Sequence, residues 1–310
     1  MSAPPASRPS RIGPGDVVGV VAPSGVVDPA RLARGVAVLQ GMGLRVRLGG
    51  AIEQRSGYLA GSDAARLADL QGMFDDPTVR AVFCARGGYG SQRIVPDLDW
   101  SGLERAPKLV VGYSDATALL AAVVRVTGTA IHGPMVADDL ARGLAPAALE
   151  RLRRLLTDPD YRWHEDLPVC VRPGCVEGPL IGGCLSVLAA MAGTPHAPDT
   201  RGAILFLEDV NEYAYRLDRL LLQLRQSGLL EGVSGIVFGT LDGCTPHDGI
   251  TPLDVVRDHL TDSQVPVAYG LSAGHSSATV EVPNMALPLG VRVRLDATRG
   301  RLTALEPAVA

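Results

Sequence analysis

The sequence predicts an α/β protein built from two domains. An N-terminal open parallel-sheet domain of Rossmann or flavodoxin-like type is expected over residues 1–160, a linker over 161–179, and a C-terminal α/β domain with antiparallel strands over 180–310. Three observations lead there. Short apolar runs alternate with amphipathic helical stretches through the first half, as βαβ units require. A length of 310 residues exceeds the roughly 250–300 at which single cores stop growing. With 46% hydrophobic and 20% charged residues, 36 Gly and 23 Pro, the composition is that of a globular chain with many tight connections rather than a disordered one.

Each element can be justified in turn. After a polar, proline-rich opening over residues 1–10, the run Asp16-Val-Val-Gly-Val-Val-Ala22 is almost wholly apolar and closes on Pro23-Ser24-Gly25. That pattern suits the buried first strand of a parallel sheet. Residues 28–42 carry an amphipathic helix, 44–48 a second strand, and 62–74 a second helix with Ser62 and Asp63 at its capped start. The next strand, over 81–85, runs into Arg86-Gly-Gly-Tyr-Gly90, and an apolar strand then passes from Lys108 through Gly112-Tyr-Ser-Asp115 straight into a helix reaching Val124. Right-handed crossovers gather such loops at the carboxyl ends of parallel strands, so both segments belong to one edge of the sheet. From about residue 146 the chain changes character: a charged helix over 147–156 leads to a Pro-, Gly- and Cys-rich stretch over 169–179, taken as part of the linker. Beyond it come a glycine turn into an apolar helix (182–191), a strand (203–207), a long amphipathic helix (215–226) and a strand (235–239). Alternating segments over 278–305, around Pro283 and Pro288, read as antiparallel strands.

Bulk properties exclude several functions. The net charge is −4, with no basic block and no stripe of stacking aromatics, so nucleic acid is not an expected partner. The longest apolar runs, such as 118–124, fall far short of the roughly 20 residues that cross a bilayer. No membrane partner is expected, and because the N-terminus lacks the apolar core of a secretory signal the chain is expected in the cytoplasm. Cys84, Cys170, Cys175, Cys184 and Cys244 form an irregular set without a C-x-x-C. Neither a disulfide framework nor a zinc site is indicated, and most are expected as small packing residues.

The chemistry centres on Ser114. A serine at a sharp strand-to-helix turn has its hydroxyl lifted clear of the sheet, beside the free N–H groups of the first helical turn. Gly112-Tyr-Ser-Asp-Ala116 is a relative of the G-x-S-x-G elbow, and the plainer role is that Ser114 or Asp115 caps the helix. Of six histidines, His275, in the small-residue loop Leu271-Ser-Ala-Gly-His275, and His132, in Ile131-His-Gly-Pro-Met135, are placed on loops where a base could act. Glu208 and Asp209 end an apolar strand and could orient an imidazole; capping the next helix or pairing with Arg216 and Arg219 are the alternatives. Arg86 to Gly90 could cradle an anion or supply an oxyanion N–H, because glycine lets backbone approach closely. It matches neither nucleotide-binding fingerprint.

Taken together, Ala85-Arg-Gly-Gly-Tyr-Gly90, Gly112-Tyr-Ser-Asp115, His132-Gly-Pro134, Gly178-Pro-Leu-Ile-Gly-Gly183, Leu207-Glu-Asp209, Tyr215-Arg-Leu-Asp-Arg219 and Gly274-His275 resemble, in that order, the LD-carboxypeptidase family of serine peptidases. That family includes muramoyltetrapeptide carboxypeptidases and microcin C immunity peptidases. The resemblance implies Ser114 as nucleophile, His275 as general base and Glu208 as its orienting acid, in a site between the two domains. It also implies an oxyanion hole from the N–H groups of Asp115 and Gly88, with Arg86, Gly87 and Tyr113 at the substrate. The implied substrate is a small peptide such as a murein tetrapeptide, cleaved to tripeptide and D-alanine in peptidoglycan recycling by a homodimer that uses no cofactor and no metal. A peptidyl-nucleotide amide is the alternative substrate, and a non-catalytic protein that binds a small molecule is the alternative class. One departure is Cys184, where the family usually has asparagine; a thiol cannot supply an amide's donor and acceptor pair. Trp100 and Trp163 read as packing residues, and Asp138-Asp139 as a solvated turn, with recognition of a substrate amine the alternative.

Overall fold

In a computed structural model describing residues 8–276 and 283–310, the chain divides into two compact units. Parts of the expected tail and of the expected strand starting at residue 278 lie outside the described residues. The first unit runs to Tyr161 and also takes in Ala286–Pro288 and Pro307–Ala310, while the second holds Arg162–Met285 and Leu289–Glu306. The second half of the chain therefore returns twice to the first unit.

The first unit contains, in order, β1 (Val17–Val21), α1 (Pro29–Gly41), β2 (Arg45–Leu48), α2 (Asp63–Asp75), β3 (Val79–Cys84), short α3 (Ser91–Ile94) and α4 (Ser101–Arg105), β4 (Leu109–Gly112), α5 (Thr117–Thr127), β5 (Ala130–His132) and α6 (Pro146–Thr157). Its strands form one sheet in the order β2-β1-β3-β4-β5, all parallel, with Leu287–Leu289 added beside β5. This is the flavodoxin-like strand order, whose switch point lies between β1 and β3. Local signals fix the helices. Asp28 accepts from Arg31 N at 2.8 Å with Pro29 following, which caps α1, and Ser62 caps α2 through Ala65 N at 3.2 Å. α5 stops at Gly128, whose φ of +76° is the left-handed ending that glycine adopts freely. Lys108, 2% exposed, donates to the carbonyls of Met73, Phe74 and Asp76 and so closes the end of α2.

The second unit contains β6 (His164–Asp166), β7 (Val169–Arg172), β8 (Cys175–Cys184), α7 (Leu185–Met191), β9 (Ile204–Val210), α8 (Ala214–Gln226), β10 (Gly235–Asp242), α9 (Pro252–Leu260), β11 (Val267–Tyr269), β13 (Arg292–Asp296) and β14 (Arg301–Ala304), while β12 (Leu287–Leu289), between β11 and β13 in the chain, is the strand added to the first sheet. Its sheet runs β6-β14-β13-β8-β9-β10-β11-β7. β8 to β11 are parallel neighbours, and antiparallel pairs close both sides. Leu185, Leu188, Leu207, Leu217, Leu221, Phe238 and Val256 join α7, α8 and α9 to the strands in one core.

The expected linker over 161–179 instead holds β6, β7 and the start of β8. Pro168 and Pro173 fall between strands while Pro179 lies within β8 opposite Arg292, and exposed residues of the segment alternate with partly buried ones, as in strands of a sheet. Gly182 and Gly183, expected as a turn, lie inside β8. A Cβ at Gly182 would come within 1.9 Å of Phe206 O, so glycine there serves close strand approach. Among the described residues no helix is long and apolar enough to cross a membrane.

Candidate active site

In the first unit, the residues singled out from sequence collect at the carboxyl ends of β1, β3 and β4. After Gly112 the chain passes through Tyr113 into one helical turn, Ser114–Ala116, and then α5. Ser114 sits at φ +60°, a left-handed conformation that costs an L-residue about 1–2 kcal/mol. Surrounding contacts must hold it there. Neither Tyr113 before the turn nor Ala116 before α5 makes a side-chain capping hydrogen bond. Asp115 turns its carboxylate inward, 4% exposed, to accept from Ser24 Oγ at 2.5 Å and from the Ser91 backbone N–H at 2.8 Å.

The Arg86–Gly90 loop passes directly against this turn. A Cβ on Gly87 would lie 2.9 Å from Ser114 Cβ and 3.0 Å from its Oγ, closer than side-chain carbons come, so only glycine lets the backbone reach the serine. Gly88 has φ +111°, again a glycine conformation. Arg86 is exposed and donates from Nη1 to Val26 O at 2.7 Å. Tyr113 is only 2% exposed, and its hydroxyl donates to Asp139 Oδ1 at 3.3 Å. Its ring packs inside the unit while its main chain leads into the serine.

Two expectations near this turn are corrected. His132 is not on a loop: it ends β5 in register with Gly112, fully buried, its ring 5.5 Å from that of Tyr113. Asp139 is not solvated but 3% exposed, accepting from Met135 N at 3.0 Å and Arg142 Nη2 at 2.9 Å. Burial pushes its carboxyl above the usual range, and the charge of Asp138 adds to the rise.

In the second unit, Glu208 near the end of β9 is fully buried, and its Oε2 lies 2.7 Å from His275 Nδ1 and accepts from the His275 backbone N–H at 2.9 Å. A carboxylate on Nδ1 fixes the imidazole's orientation and stabilises its protonated form. The His275 side chain keeps 15% exposure. Its loop is built around Gly274, where φ is +119° and a Cβ would lie 2.5 Å from Thr240 Oγ1 and 2.7 Å from Glu208 Oε2. Thr240 Oγ1 donates to His275 O at 2.7 Å, and Gly274 N donates to Asn284 Oδ1 at 3.1 Å.

Asp209 does different work. Its Oδ2 accepts from Ser186 N at 2.7 Å at the start of α7, and its Oδ1 accepts from Val210 N at 2.8 Å. Burial pushes its carboxyl up to about 6, with the charge of Glu208 adding to the rise. Arg216 pairs with Glu212 at 2.8 Å rather than with Glu208 or Asp209. Cys184 lies opposite Glu208 in the ladder with Sγ 3.2 Å from Ser186 Oγ and 3.7 Å from Asp209 Oδ1, and burial holds its thiol well above its usual range. Cys84 is likewise buried, its thiol pushed up to about 12, whereas Cys170 and Cys175 are exposed rather than packed.

Sequence reasoning passed over Ser24, Ser91, Arg66, Thr240 and Asn284. A usable signal existed for two of them: Ser24 follows an apolar strand, and Thr240 follows the apolar run 235–239 with which β10 begins.

Comparison with known proteins gives concordant matches. The sequence model of the LD-carboxypeptidase N-terminal domain matches residues 18–133, and that of the LD-carboxypeptidase C-terminal domain matches residues 177–295. A Streptomyces coelicolor protein with a provisional carboxypeptidase name is 44% identical, over 97% of both chains. The murein tetrapeptide carboxypeptidase of Pseudomonas aeruginosa is 37% identical, over 92% of this chain and 94% of its own. Among solved structures, a muramoyltetrapeptide carboxypeptidase from Oxalobacter formigenes superposes with a TM-score of 0.82 at 32% identity, covering 92% of this chain and 98% of its own. A microcin C7 self-immunity protein in complex with aspartyl sulfamoyl adenosine gives 0.86 at 26% identity, covering 99% and 100%.

Proposed function

The chain belongs to the LD-carboxypeptidase family, and on that premise we propose that it hydrolyses the amide between an L-centred residue and a terminal D-amino acid. Murein tetrapeptide becomes tripeptide plus D-alanine. The observation that carries the reading is the buried Glu208 carboxylate 2.7 Å from His275 Nδ1, the arrangement of an oriented general base. The strained φ of Ser114 at a strand-to-helix turn supports its role as nucleophile.

In this reading His275 takes the Ser114 Oγ proton as the oxygen attacks the scissile carbonyl carbon. The resulting oxyanion is met by the N–H groups of Asp115 and Gly88. Collapse breaks the C–N bond, and His275 returns the proton to the departing D-alanine amine. Water, deprotonated by His275, then attacks the ester, and Ser114 leaves with the proton. Glu208 stays ionised throughout and stabilises the imidazolium at each step. The same reading sets the reaction in the cytoplasm, in recycling of murein peptides, with a homodimer as the working form. The likeness to the microcin C7 self-immunity protein bound to a sulfamoyl adenosine supports a second reading, a peptidyl-nucleotide amide as substrate.

Incubating the protein with a murein tetrapeptide and separately with a peptidyl-nucleotide conjugate, and following D-alanine and nucleotide release by chromatography, decides between them. D-alanine release is expected from the first, lowered at least about 10⁴-fold in Ser114→Ala and His275→Ala. Cleavage of the conjugate alone would move the substrate to the second reading, and full activity in Ser114→Ala would overturn both.

A further inference from the structure

At the switch point of the first sheet, two buried side chains of opposite charge grip the same two loops. Arg66 of α2 is 1% exposed, and its Nη1 donates to the carbonyls of Pro23 and of Gly90, the latter at 2.9 Å, while Nη2 pairs with Asp63. Asp115 accepts from Ser24 Oγ and from Ser91 N, and Ser91 Oγ donates back to Asp115 O at 2.5 Å. Residues 23–24 after β1 and residues 90–91 after β3 are therefore each held twice, a cation taking their carbonyls and an anion taking their donors. Between the two grips runs Arg86–Gly90, the loop that abuts Ser114, and Gly25 N donates to Gly87 O at 3.1 Å.

We propose that Asp115 and Arg66 form a clamp of buried hydrogen bonds whose task is to position the Gly87–Gly88 backbone against Ser114. Asp115 thus has two parts to play, its N–H toward the oxyanion and its side chain toward the loop that carries the second donor. The inference rests on the serine-peptidase reading above. Buried hydrogen bonds suit the task because a buried donor or acceptor left without its partner is costly. Each loop is thereby confined to one arrangement. A donor displaced by about 1 Å costs a reaction about 10²-fold while ground-state binding changes little.

The test is steady-state kinetics of D-alanine release on the full chain. Asp115→Ala should lower kcat about 10- to 100-fold with KM within about twofold. Asp115→Asn should restore most of that loss, since an amide oxygen standing where Oδ2 stands can accept from both Ser24 Oγ and Ser91 N. Ser24→Ala should lower kcat about three- to tenfold alone and add nothing on top of Asp115→Ala, because both act through one contact. Wild-type kcat in Asp115→Ala, a loss confined to KM, no recovery in Asp115→Asn, or additive losses in the double variant would each overturn the clamp. Should Asp115→Ala fail to fold, Ser24→Ala and Ser91→Ala are read by themselves: a lowered kcat at constant KM is expected, and unchanged kcat in both overturns the proposal. Wild-type activity that survives Ser114→Ala refutes the peptidase reading instead. Ser114-dependent activity with an indifferent clamp refutes the clamp alone.

Discussion

Ser114 and Gly274 are the two backbone positions on which the proposed chemistry turns, and both lie at positive φ, +60° and +119°. At Ser114 the chain accepts strain. At Gly274 it avoids strain by having no Cβ, which would otherwise meet Thr240 and Glu208. Gly274→Ala should therefore destabilise the fold by about 2–3 kcal/mol, from backbone strain and overlap together. It should also lower kcat more than about 10²-fold, since the displaced loop carries His275 away from Glu208. Urea unfolding and the D-alanine assay check this, and wild-type behaviour in both would contradict it. The residues alone made Ser114 and His275 candidates, because small residues at loop positions are visible in a sequence. They could not choose between Glu208 and Asp209, adjacent acids that point to opposite sides of one strand. That choice is made by packing: Glu208 meets His275, and Asp209 meets the start of α7.

At the scale of elements, Asp209 ties β9 to α7 from within the core, and its raised carboxyl has a pH signature. An acid whose native pKa stands at about 6, above its unfolded value of 3.8, binds more protons folded than unfolded between those values. Its contribution to stability is fully present below pH about 4 and is lost as pH rises through about 6, by up to about 3 kcal/mol. Urea unfolding of wild type and Asp209→Asn at pH 4, 5, 6 and 7 should show the wild-type advantage shrinking across that window, whereas parallel profiles would contradict the account. Most elements of the first unit were legible from their apolar period, and α2 also from its capping residue Ser62. β6 and β7 were not. Each is a strand of three or four residues whose partners, β14 and β11, lie 135–139 and 95–100 residues away, and no local pattern marks so distant a pairing.

For the whole molecule, a parallel first sheet follows from alternating strands and helices, which is why the edge that gathers Arg86–Gly90 and Ser114 could be read in advance, whereas its flavodoxin-like order, one of two such alternation allows, was not. The return of Ala286–Pro288 and Pro307–Ala310 to the first unit could not, since it depends on where a late strand finds an edge. The proposed activity stands on one covalent event, acylation of Ser114. Rapid mixing of the protein with murein tetrapeptide, acid quenching, and intact-mass and peptide mapping test it most directly. The expected result is a mass increase equal to the tripeptide acyl group, mapped to Ser114 and accompanied by one equivalent of D-alanine. D-alanine release with the adduct on any other residue, or with undiminished rate in Ser114→Ala, would contradict it.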